Sequence, residues 1–366
     1  MIYIFLFILF SICSLLDIYY SNRRIKNIIF ISLAVILILI GGFRWQTGTD
    51  WSTYRLFFTF FNTLKQFLIG GYEPGFAVLN YIIKSLFSHY TFMLLTMCFL
   101  TITFYFKFFS NFEFKFIAVL AFLSYYIGGI FATRQTLAIG ITLISSIYIL
   151  NSNKKYFYYY LLLACTFHFT AIVFLPAYKI FHSRISIKTM TIILMFSILI
   201  GFNTWIIEYI LNLIYQVLNS IGLSLVSWRL NNYLKEDALT PGNPIVQMTL
   251  AFSKRLLLLP LFVFLSHKII LRYNYFNGFL KLWIFGNILY FLLNNTLTVF
   301  NRLTLYFVIY ELILIPMCIY AFNRKSRVIV YFILILYFGL RFYLSLQTYW
   351  TEYYPYYSVF HDSYRY

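Results

Sequence analysis

Along most of this chain, apolar residues run in stretches long enough to cross a bilayer, and polar residues are confined to the gaps between them. A bilayer core takes about 20 apolar residues per helix. Stretches of that kind are 1–20, 26–42, 91–109, 116–132, 135–151, 189–214, 246–270, 279–298, 304–322 and 328–346. They predict an all-α polytopic membrane protein with about ten full transmembrane helices. Two stretches fit badly. Residues 75–89 are short and carry Lys84, and 156–182 is interrupted by Thr166, His168, Thr170 and Pro176. Broken helices at membrane depth are tolerated where they line a polar cavity. Both are therefore expected to be re-entrant or half-span segments without a net crossing.

The pattern changes between Gly41 and Gly75. From Trp51 to Leu68 the apolar positions Trp51, Tyr54, Phe58, Phe61, Leu64 and Leu68 recur at helical spacing, opposite a stripe of Arg55, Thr59, Asn62 and Gln66. This predicts one amphipathic helix lying on the membrane, with Arg44, Asp50 and Glu73 at its ends. The chain has only ten acidic residues, so two in this interval is a concentration.

Composition agrees with the class: 62% of residues are apolar and 10% charged, and the mean hydropathy is +0.81. No linker divides the chain, so 1–366 is read as a single membrane domain with external segments 43–74 and 215–245. The apolar start, 1–16, lacks a basic n-region and a cleavage site and is expected to be a retained span. Cys13, Cys98, Cys165 and Cys318 have no metal-type spacing and read as buried thiols. A net charge of +18 would point to nucleic acid in a soluble protein; here it sorts the loops. Arg23-Arg24, Lys154-Lys155 and Arg324-Lys325 mark the cytoplasmic side. The 41–75 segment, the turn at Arg134, the His168 apex, the 215–245 loop, the turn at Arg302 and the tail after Leu346 then lie outside.

Several residues on that external face carry chemistry. Arg44 reads either as a snorkelling anchor or as a bidentate ligand for a phosphate. Asp50 stands where an N-cap belongs. Glu73, at an apolar interface, is expected to have a raised pKa suited to a general base. Arg134 and Arg302 lie in turns between apolar runs with few carboxylates available, which points to an anionic ligand. His168 sits at the apex of the broken segment, either as a core histidine or as a functional one. Lys254-Arg255 and Arg341 lie inside spans and could line the same cavity. The aromatic 352–362 tail reads as an interface anchor or as a platform for sugar rings. Phosphate-loop, dinucleotide, HExxH and serine-elbow motifs are absent.

In order along the chain stand Arg44 with Gly48-Thr49-Asp50 and Tyr54, Tyr72-Glu73-Pro74-Gly75 with Asn80, and Arg134-Gln135-x-Leu137-Ala138. Phe167-His168-x-Thr170-Ala171, Asn301-Arg302 with Tyr306, Pro316, and Tyr354-Pro355-Tyr356-Tyr357-Ser358-Val359-Phe360 follow. In this ordered set the chain resembles the EpsG-like, Wzy-type polysaccharide polymerases of bacterial inner membranes. The resemblance implies a GT-C-like glycosyltransferase. Such an enzyme joins undecaprenyl-diphosphate-linked oligosaccharide units at the external leaflet and releases undecaprenyl diphosphate. It implies no nucleotide sugar, cofactor or obligatory metal. Arg44, Arg134 and Arg302 are then expected to clamp the diphosphate. Glu73 is the first candidate for the base, His168 the second, and Asp50 organises the loop. Tyr54, Gln135, Tyr306 and Tyr356 are weaker sugar contacts. A chain-length regulator and a flippase are the expected protein partners, and nucleic acid is not a partner. A transporter of the same lipid-linked sugars would also need intramembrane arginines, but no two halves of the chain are related. An O-antigen ligase-like transferase shares the chemistry and expects a larger external loop.

Overall fold

The computed structural model describes residues 2–20, 22–201, 209, 212–213, 215–217, 219–222, 244–293 and 301–361. Most of the 215–245 loop lies outside the described residues. Among the described residues the secondary structure is helical, with one isolated bridge between Arg44 and Ser358. The helices are α1 Ile2–Ser14, α2 Leu16–Tyr19, α3 Arg23–Gly42, α4 Trp51–Phe60, α5 Leu64–Ile69, α6 Pro74–Leu86, α7 Tyr90–Phe109, α8 Lys115–Tyr125, α9 Arg134–Leu150 and α10 Lys154–Phe167. They continue with α11 Ala177–His182, α12 Ile187–Gly201, α13 Pro244–Ile270, α14 Phe276–Leu293, α15 Asn301–Val308, α16 Glu311–Ile319, α17 Arg324–Thr348 and α18 Trp350–Tyr353.

Six segments among the described residues are long and apolar enough to span a membrane: Ile2–Tyr19, Arg23–Gly42, Tyr90–Phe109, Phe276–Leu293, Arg302–Ile319 and Arg324–Thr348. Of the other stretches expected to cross, 246–270 lies in the 27-residue α13, and two are shorter as helices. The 116–132 run breaks into α8 and a 3-10 turn, Ile127–Phe131, and α9 is 17 residues long. Residues 156–182 break as the sequence predicts: α10 ends at Phe167, a 3-10 turn covers Phe169–Phe174, and α11 follows.

The chain divides into two compact units, one of Met1–Leu175 with Ile315–Tyr366 and the other of Pro176–Leu314. In the first, every residue of α8 is buried, as befits a helix that is apolar all round. Its first turn is held by Asp17, whose Oδ2 accepts from the amides of Phe116 at 2.8 Å and Ile117 at 3.0 Å. α1 and α17 pack on it, while α7 packs on α3 and α9, and α9 on α10. In the second unit α12, α13 and α15 pack on α14.

The single amphipathic helix expected over 51–68 is two helices. Phe61 is extended, and Thr63 starts α5 with a capping box: Gln66 N donates to Thr63 Oγ1 at 3.3 Å and Thr63 N to Gln66 Oε1 at 3.0 Å. Lys84 explains its place in an apolar stretch by closing the end of α4. Its Nζ donates to the carbonyls of Thr59 at 2.8 Å and Phe61 at 2.7 Å.

Candidate active site

Three chain segments in the first unit bring charged side chains together. Arg134 opens α9 because Thr133 and Thr136 form a capping box around it, with Thr136 N donating to Thr133 Oγ1 at 3.2 Å and Thr133 N to Thr136 Oγ1 at 2.7 Å. Glu73 stands at the N-cap position of α6, with Pro74 fixing the first turn. Its side chain makes no capping bond, so the carboxylate is available to other partners. His168 ends α10 in extended backbone. α6 meets this end closely, because a Cβ at Gly75 would lie 2.5 Å from Thr166 Oγ1 and 2.8 Å from the Thr166 carbonyl oxygen.

The Glu73 carboxylate joins the three. Oε1 accepts from His168 Nδ1 at 2.9 Å and from the Phe169 amide at 3.2 Å, and Oε2 pairs with Arg134 Nη1. A carboxylate only accepts, so the histidine proton is on Nδ1 and Nε2 is the basic atom. Burial pushes the Glu73 carboxyl up, but the His168 hydrogen bond, the Arg134 charge and the amide bonds outweigh it and hold the group at about 2. The raised pKa expected of Glu73 is thereby corrected: its partners stabilise the anion by more than burial costs it. The side chains of Glu73, Arg134 and His168 keep 17–20% exposure, enough for a ligand to reach them.

Tyr54 extends the cluster from α4. Burial, reinforced by the Asp50 carboxylate, pushes its hydroxyl well above the usual phenol range. It is therefore protonated, and it donates to Asp50 Oδ2 at 2.9 Å. Its oxygen accepts from Arg134 N and Nε, each at 3.3 Å. Asp50 occupies the N-cap position of α4 without a capping bond, so the cap expected of it gives way to the tyrosine. Tyr72 lies under the Arg134 guanidinium, 4.2 Å from ring centroid to Cζ.

Arg44 occupies a separate place in the same unit. It is 1% exposed, lies 5.3 Å over the Phe131 ring, and its Nε and Nη1 have no hydrogen-bond partner. The tail closes over the segment: Trp45 N donates to Tyr357 O at 2.9 Å, Val359 N to Phe43 O at 2.9 Å and Gly48 N to Glu352 O at 2.8 Å. Gly48 has φ +102° beside the Arg44 guanidinium, a conformation in which a Cβ is strained. Arg44 is thus an interior cation, and the snorkelling alternative is corrected.

The sequence model of the EpsG family matches residues 27–358. The chain belongs to the EpsG family. The family is one of polysaccharide polymerases, and the whole Asp50–Tyr54–Arg134–Glu73–His168 set lies inside the match. No curated protein and no solved structure matches the chain. With its apolar helices, the EpsG-family chain is a multi-pass membrane protein with a part in polysaccharide biosynthesis.

The other residues marked in the EpsG-family sequence are placed elsewhere or in other roles. Gln135 follows Arg134 and is half-buried. Tyr356 donates from its hydroxyl to Ile40 O at 2.8 Å, which packs the tail. Arg302, exposed, and Tyr306, buried, belong to the second unit. There Lys254 Nζ pairs with Glu311 Oε1 at 2.7 Å, and Arg255 Nε donates to Asn287 Oδ1 at 2.6 Å. Arg341 lies over the Tyr125 ring at 4.7 Å in the first unit. Sequence reasoning quoted Tyr72 in its motif without a role and missed the Phe169 amide and Glu311. Glu311 left a signal, as a lone carboxylate inside an apolar run.

Proposed function

We propose that this chain is a GT-C-like polysaccharide polymerase of the bacterial inner membrane. It joins undecaprenyl-diphosphate-linked oligosaccharide units at the external face and releases undecaprenyl diphosphate. The observation that carries this reading is the Glu73–His168 pair held beside Arg134. In this scheme an acceptor hydroxyl gives its proton to His168 Nε2 while its oxygen attacks the anomeric carbon of the donor. The bond from that carbon to the diphosphate oxygen breaks, and its electron pair leaves with the diphosphate. Glu73 keeps the imidazole in the required tautomer and stabilises the imidazolium that forms. A guanidinium has five N–H donors, and those of Arg134 not used by Tyr54 and Glu73 meet the charge growing on the leaving group.

The roles therefore differ from the order expected from sequence. His168 is the base, Glu73 orients it, and Asp50 holds Tyr54 against Arg134. Arg44 is a further proposed contact to the donor's diphosphate, as a buried cation whose Nε and Nη1 lack hydrogen-bond partners, and Arg302, in the second unit, is proposed from its motif as a phosphate contact there. A chain-length regulator and a flippase remain the proposed protein partners. The test is incubation of purified protein with a lipid-linked repeat unit, with product lengths read on a gel. The wild type is expected to give a ladder, and His168→Ala none while still folded. A full ladder from His168→Ala would remove the histidine from the reaction.

A further inference from the structure

A second cluster of cationic and hydrogen-bond-donating groups lies at the start of α4, and the scheme above does not use it. The Arg55 guanidinium rests over two indole rings, 5.1 Å from the centroid of Trp45 and 5.3 Å from that of Trp51. The two rings meet edge to face at 4.9 Å. His89 stacks on the other partner, its ring 5.9 Å from Trp45 with an interplanar angle of 21°. Trp45 and Trp51 are 7% and 5% exposed, whereas Arg55 is half-exposed and His89 exposed.

Apart from His89 Nδ1, which the Thr91 amide occupies, the side-chain polar groups of this cluster are donors. Arginine stacked on aromatic faces keeps its N–H edge in plane for a ligand, and no residue among those described pairs with that edge. His89 Nδ1 accepts from the Thr91 amide at 3.3 Å, which leaves the Nε2–H as donor. Trp51 Nε1–H is buried without a partner, which a native fold rarely leaves so. The nearest carboxylate in sequence, Asp50, is engaged by the Tyr54 hydroxyl. A set of donors around a cation, with no acceptor among them, is complementary to a phosphate anion.

We infer that Arg55, His89 and the Trp51 indole form a phosphate-binding site distinct from the Arg134 centre. This rests on the polymerase reading for its occupant: the diphosphate of the acceptor lipid, which is retained while the donor's is released. Joining two lipid-diphosphate substrates requires two anionic headgroups to be held at once. Arg55 follows Tyr54 directly, so the two side chains leave α4 about 100° apart, Tyr54 toward Arg134 and Arg55 toward Trp45. The bilayer's own phospholipid headgroups offer the same chemistry, and the test separates the two sources.

The experiment measures binding of radiolabelled polyprenyl diphosphate to full-length protein in nanodiscs of neutral phospholipid. Two molecules per chain are expected for the wild type, and one for Arg55→Ala and for Arg134→Ala alike. Arg55→Lys should recover little, and His89→Ala, which removes an exposed ring with its stack on Trp45 and its bond to the Thr91 amide, should weaken one class of site several-fold. Unchanged stoichiometry and affinity in both Arg55→Ala and His89→Ala overturn the site. Displacement from the Arg55-dependent site by phosphatidylglycerol as readily as by unlabelled polyprenyl diphosphate overturns the substrate role, whereas displacement by the diphosphate alone supports it. Neither arm needs polymer to form, so a failure of the polymerase reading would appear separately, as two bound lipids in this assay and no ladder from a lipid-linked repeat unit.

Discussion

Glu73 shows how one residue's role is set by its partners. From sequence it is a carboxylate at an apolar interface, and burial alone does push it up. What the linear chain does not display is that the end of α10 and the start of α9 both arrive at it, and they hold it at about 2. The sign of the linkage follows. A carboxyl depressed in the folded state stabilises the protein at every pH above its ordinary value, and that stability is lost only as pH falls toward 2. Glu73→Gln is therefore expected to melt lower than the wild type at pH 7, with the gap closing on acidification below about 4. Thermal unfolding in detergent across pH 3–8 checks this, and a gap independent of pH would contradict the ion pair. Since Glu73 stays ionised throughout that range, any loss of activity between pH 7 and 5 must come from another group.

At the scale of elements, the sequence was readable where one period ran unbroken and silent where short signals compete with it. The spans at 26–42, 91–109 and 328–346 are carried by length and apolarity, and the break at His168 by its polar neighbours. The split of 51–68 was missed because the apolar spacing runs on through it. The deciding signal is local, Thr63 with Gln66 three residues later, and it outweighs the period. The 116–132 run also fails as one helix: α8 ends at Tyr125, and Gly128-Gly129 fall within the 3-10 turn that follows. How α6 meets α10 could not be read at all, since it depends on the absence of a side chain at Gly75. Gly75→Ala places a Cβ 2.5 Å from Thr166 Oγ1 and should push Glu73 off His168. A misplacement of about 1 Å can cost about 100-fold in rate, so polymer formation by Gly75→Ala should fall by that order with the protein still inserted. Wild-type activity would show that the contact does not position the pair.

For the whole molecule, the orientation proposed from the basic loops has the Glu73 cluster outside. Ser52 and Gln66 are exposed on the segment proposed to be external, and Ser110 and Lys325 are exposed on loops proposed to lie opposite. With Cys13, Cys98, Cys165 and Cys318 replaced by alanine, single cysteines at Ser52 or Gln66 should react with an impermeant thiol reagent in intact cells. Those at Ser110 or Lys325 should react only after lysis. Labelling of Lys325→Cys in intact cells would reverse the orientation and the side of the chemistry. In the proposed reaction each new glycosidic bond is made at the expense of a donor's bond to diphosphate. The most direct measurement supplies purified protein with a lipid-linked repeat unit and counts released polyprenyl diphosphate against bonds formed. One released per bond is expected from the wild type, and neither release nor bonds from His168→Ala. Polymer without release, or release without polymer, would contradict it.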